Sequence, residues 1–162
     1  MNTKNNTVSL LIALLAAVLT PLAATAGGDH SAHGPGDINN ETKAGPNGGK
    51  VIKSVEPHYE FFVQPDRKVR ITFLNEAGQP IAADGQSVTA IGGSRSNPTQ
   101  LSFAEEGDVL VSESVLPDGN NVPLILSVQT KGADRPVRER IYVNMSDCGS
   151  CDYKEYACVC GH

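Results

Sequence analysis

Val69-Arg70-Ile71-Thr72-Phe73-Leu74 alternates apolar and polar side chains. Val69, Ile71 and Phe73 fall on one face, Arg70 and Thr72 on the other, and a period of two is the mark of a half-buried strand. The same alternation returns in 121–130, where Val122, Leu124, Leu126 and Val128 share a face. It returns again in 136–145, where Val137, Glu139, Ile141, Val143 and Met145 do, with Glu139 expected where that face meets solvent.

Working outward from 69–74, short β-prone runs recur about every ten residues, each closed by turn chemistry. The runs are 50–55, 58–63, 69–74, 87–91, 99–103, 109–113, 121–130 and 136–145. The punctuation between them includes Gln64-Pro65-Asp66-Arg67, Asn75-Glu76-Ala77-Gly78, a Gly- and Ser-rich loop over 92–98, and Pro117-Asp118-Gly119-Asn120. Pro, Asp and Gly each suit successive turn positions. No helical period follows residue 26. The pattern predicts an all-β domain, an antiparallel immunoglobulin-like β-sandwich of seven to eight strands, with a small β-barrel as the alternative. The alternation further predicts that each sheet has one wet side.

The ends have a different composition. Residues 8–19 form an apolar run behind Lys4, and Ala24-Thr25-Ala26 supplies the small residues of a cleavage site, so 1–26 reads as an export signal. The run falls short of the roughly 20 residues needed to cross a bilayer. No cysteine follows it to take a lipid anchor. The expected product is a secreted or periplasmic protein with no membrane attachment after cleavage. Residues 27–44 hold few large apolar side chains and are expected to form a flexible tail before the domain at 45–146. Of the 13 basic and 18 acidic residues, only Lys4 lies in the signal, so the mature chain carries a net charge of −6. Nucleic acid is therefore not an expected partner.

The chemistry is concentrated in 147–162. All four cysteines lie there, as Cys148-Gly149-Ser150-Cys151 and Cys158-Val159-Cys160-Gly161-His162. Cys-x-x-Cys is the usual half of a structural zinc site, and Cys158, Cys160 and His162 offer a compact second half. Thiolates favour Zn(II) or Cu(I), and four soft ligands in a tetrahedron leave no open position for catalysis. Disulfides are the competing reading, since an exported chain meets an oxidising compartment. Pairing 148 with 160 and 151 with 158, or 148 with 158 and 151 with 160, is easier than bridging 158 and 160 across a single residue. Thiol redox catalysis is a third reading. It is disfavoured because Cys148 follows a strand, not a helix N-terminus, and lies between the carboxylates of Asp147 and Asp152.

Weaker metal candidates are His30 and His33, beside Asp29 in the N-terminal tail, and His58, on the same strand face as Glu60. The bland expectation for His58 and Glu60 is the solvated face of a strand. No nucleophile elbow, zinc-protease helix or phosphate loop is present, and the expected protein is not an enzyme.

Gly45-Pro46-Asn47-Gly48-Gly49-Lys50-Val51, followed by Glu60-Phe61-Phe62-Val63 and by 69–80, resembles a group of small exported bacterial β-domain proteins associated with heavy-metal efflux systems. The resemblance covers mainly residues 45–80 and does not include the cysteine tail. It implies a bacterial periplasm, a role in metal handling and a protein partner within a metal-efflux system.

Overall fold

Alternating apolar and polar residues build nine strands within residues 43–160, the part of the chain described by the computed structural model. The strands are β1 (Lys50–Ile52), β2 (His58–Val63), β3 (Val69–Leu74), β4 (Pro80–Ile81), β5 (Ser87–Ser94), β6 (Asn97–Glu106), β7 (Val109–Ser112), β8 (Asn121–Gln129) and β9 (Val137–Asn144). Every pairing is antiparallel. The order across the sheet is β1-β2-β3-β7-β6-β5-β8-β9, with the two-residue β4 beside β3. The expected all-β antiparallel architecture with a cysteine-rich C-terminal tail is therefore present.

The sheet is continuous and curls into a half-barrel, and β6 is the reason. Its first part, through Ser102, pairs with β5, while Phe103 to Glu106 pair with β7. One strand thus carries the hydrogen-bond ladder from one layer to the other. The inward residues of the two layers meet in a single buried cluster. Tyr59, Phe61, Val69, Ile71 and Phe73 come from one side, and Val88, Leu101, Leu124, Leu126 and Val143 from the other. Burying each such side chain contributes about 1.5–3 kcal/mol. Glu139 is half-buried, as its place at the border of the β9 inner face predicts.

Two sequence expectations are corrected. The loop expected over 92–98 is a tight hairpin, with Ser94 opposite Asn97 and Gly93 opposite Pro98. Pro98 does not end β6, because at that point β6 is paired through β5 alone among the named strands, and a missing N–H is tolerated on an open side. The second correction concerns Glu60. It shares a face of β2 with His58, as expected, but it is fully buried, not solvated.

The edge strands are β1 and β9. The residues after β9 do not trail away from them. A 3-10 turn, Glu155–Ala157, packs against both β9 and β1, and Tyr156 and Ala157 belong to the buried core cluster. The cysteine-bearing tail thereby lies across the opening between the two edges, a way of covering strand edges that would otherwise be open to pairing. Among the described residues no helix is long and apolar enough to cross a membrane. Residues 1–42, which hold the segment expected to be an export signal and both His30 and His33, and the terminal His162 lie outside the described residues.

Candidate metal centre

After β9 the chain makes a small hairpin, in which Cys148 N–H donates to Tyr153 O at 2.9 Å and Asp147 bridges to Lys154. Cys148 opens the hairpin and Cys151 lies in its turn. Glu155 N–H then donates to Ser146 O at 2.9 Å, and the 3-10 turn reverses the chain so that Cys158 and Cys160 come back over the hairpin. Tyr156 pins the reversal. Its hydroxyl accepts the Val63 N–H at 3.0 Å, and its ring meets Phe61 edge-on with centroids 5.8 Å apart. The Lys154 to Asp147 ion pair, at 2.6 Å, is largely exposed and adds little to stability.

The result is convergence of four sulfurs. All four Sγ atoms lie within 4.8 Å of one another. Cys148 Sγ is 3.3 Å from Cys158 Sγ and 3.9 Å from Cys160 Sγ, and Cys151 Sγ is 3.9 Å from Cys158 Sγ. A tetrahedron of sulfurs about 2.3 Å from a central ion has edges of about 3.8 Å. A disulfide requires about 2.05 Å. The observed separations match the first distance and not the second, so the four cysteines can hold a single metal ion.

The surroundings distinguish the thiols from one another. Cys160 N–H donates to Cys158 Sγ at 3.3 Å. The Tyr153 N–H, directed at Cys151, outweighs burial and lowers that thiol to about 7. Cys160 is pushed well above the ordinary thiol range, first by its hydrogen bond with Cys151 and then by burial. Cys158 is also raised. The Cys160 N–H lowers it, but contact with Cys148 and burial prevail.

His58 does not join this cluster. Its Nδ1 is 3.0 Å from Val55 O and 3.1 Å from Glu56 Oε1, and the ring lines a cleft of about 560 Å³ together with Lys43, Lys53 and Tyr153.

The sequence reading missed the role of Glu60. Its carboxylate is clasped by the loop before β1. Asn47 N–H donates to Oε1 at 2.9 Å, Gly49 N–H to the same oxygen at 2.7 Å, and Asn47 Nδ2 to Oε2 at 2.6 Å. The glycines of Gly45-Pro46-Asn47-Gly48-Gly49 follow from this clasp. A Cβ on Gly45 would sit 2.4 Å from Glu60 Cδ, one on Gly49 would sit 2.4 Å from Phe61 O, and Gly48 has a φ of +83°. The signal was present as a glycine-rich turn followed by an acidic residue in the next long strand, but nothing local says that the two meet. Tyr153 of the cysteine hairpin packs at 3.4 Å from the position a Cβ on Gly48 would take, so clasp and hairpin are neighbours.

Comparison of the chain with protein-family models, curated proteins and solved structures returned no match.

Proposed function

We propose that this chain is a non-catalytic exported protein that binds one soft metal ion, Zn(II) or Cu(I), through Cys148, Cys151, Cys158 and Cys160, and serves metal homeostasis in the bacterial periplasm. The observation that carries the reading is the separation of the sulfurs, close to the edges of a thiolate tetrahedron. The donor set agrees with it, because thiolates select these ions over harder ones. Four protein ligands complete a tetrahedral site, which suits holding, sensing or passing on an ion rather than catalysis at an open position. The export signal and the resemblance over residues 45–80 support the compartment and the link to an efflux system as a partner.

The competing state is a tail clasped by disulfides, with the sheet acting as an interaction module. One accessible bridge joins Cys148 and Cys158, whose sulfurs are 3.3 Å apart. Intact mass and thiol count of protein purified from the periplasm, with and without chelator, separate the two. The expected result is stoichiometric zinc or copper and four reactive thiols after chelation. Loss of two mass units per cysteine pair, with no bound metal, would overturn the proposal.

A further inference from the structure

The outer face of β5, β8 and β9 takes part in neither the sulfur cluster nor the Glu60 clasp. Ile91 lies opposite Ile125, and Ile125 opposite Arg140, so the three form a row across the layer. Ile91 and Ile125 are 47% and 39% exposed. In the neighbouring row Tyr142 stands opposite Pro123 and is 71% exposed. A groove of about 330 Å³ lies between Gly93, Pro98, Pro123, Ile125 and Tyr142, with Arg95 and Arg140 also at its walls. Scattered exposed apolar residues need no explanation, but contiguous ones beside a groove mark an interaction site.

The charge on this face is one-sided. On the three strands the exposed outward residues are Ser, Thr, Ile, Pro, Tyr and Asn, with Arg138 and Arg140 as the only charges, although the chain as a whole has a net charge of −5. Glu139 alternates with the two arginines and lies on the opposite, half-buried side of β9. Glu113 accepts a hydrogen bond from Ser102, on the side of the layer away from β9. A second copy pairing along the β9 edge would set arginines against arginines, which is unfavourable. Tyr and Arg are the residues that most often dominate binding energy at interfaces.

We propose that this face docks an acidic segment of a partner protein, seating one large apolar side chain in the groove against Tyr142 while flanking carboxylates pair with Arg95 and Arg140. The inference is independent of the metal site. The test uses the full chain and a short fluorescein-labelled peptide that alternates Glu and Val around a central Phe, with Lys in place of Glu as the control. Fluorescence anisotropy is expected to show binding of the Glu peptide alone, weakening as salt rises. Arg140→Glu and Tyr142→Ala should each lower the affinity about ten-fold or more. Both side chains are exposed, and far-ultraviolet circular dichroism of each variant checks that the sheet persists. Absence of binding, equal binding of the two peptides, or an unchanged affinity in Arg140→Glu would overturn the proposal. So would self-association of the chain, seen by sedimentation and abolished by Arg140→Glu, because it would name a second copy as the occupant.

Discussion

The Tyr156 hydroxyl accepts the backbone N–H of Val63 at 3.0 Å, and through this bond the cysteine-bearing tail is fastened to the end of β2. Tyr156→Phe keeps the ring against Phe61 but leaves a buried N–H without its acceptor. Such an orphan costs about 1–3 kcal/mol. The variant is expected to show a lower urea midpoint and faster amide exchange over 146–160. An unchanged midpoint would mean that the tail is held by other contacts.

Glu60 makes a sharper demand on stability. Glu60→Gln preserves volume but puts an NH2 group among three N–H donors, and a lost hydrogen bond to a charged group costs about 1.5–3 kcal/mol. Gly49→Ala attacks the same clasp from the loop side, through the close approach to Phe61 O. Both variants are expected to lower the urea midpoint, whereas Glu76→Ala, at an exposed position in the turn after β3, should change it little. Equal midpoints for all three would contradict the structural role of the clasp.

Tyr59 sets the alkaline limit. Burial, with the Glu139 carboxylate adding to it, holds this hydroxyl well above the usual phenol range. Ser54 pulls the other way, yet no group lies in hydrogen-bonding geometry to the oxygen. A folded-state value above the unfolded one, about 10, gives stability that is complete below pH ~10 and lost as pH rises further, because only the unfolded chain can ionise. Tyr59→Phe is expected to be neutral or stabilising near pH 7. It should also reduce the loss above pH ~10 by up to about 1.4 kcal/mol per pH unit, read from urea unfolding across pH. Tyr156, raised first by burial, adds to the same slope in the wild-type chain.

Metal binding should follow the opposite sense of pH. A metal must displace the protons that Cys158 and Cys160 retain to high pH, whereas Cys151, near 7, gives up its proton readily. Apparent zinc affinity is therefore expected to fall as pH falls from 8 to 6, by about ten-fold or more per unit, with proton release visible in weakly buffered titrations. An affinity independent of pH would exclude thiol ligands.

These features differ in how far the sequence alone reveals them. Alternation in 69–74 and 121–130 placed β3 and β8 closely, because half-buried strands write their period directly into the chain. The hairpin at 94–97 was hidden because Gly92, Gly93 and Pro98 are turn formers in isolation, and only pairing with the neighbouring strand keeps them in the sheet. Glu60 looked solvated because its partners come from a loop more than ten residues away, and a non-local clasp leaves no periodic trace. The cysteines named themselves as a set. Their meeting within a few ångströms depends on the 3-10 turn and the Tyr156 anchor, which spacing does not reveal.

The most direct test of the four-sulfur centre is X-ray absorption at the metal edge of the purified protein loaded with one equivalent of zinc. The account predicts four sulfurs at about 2.3 Å and no nitrogen or oxygen in the coordination sphere. A shell dominated by nitrogen and oxygen, or protein whose thiols are oxidised and which takes up no zinc, would contradict it.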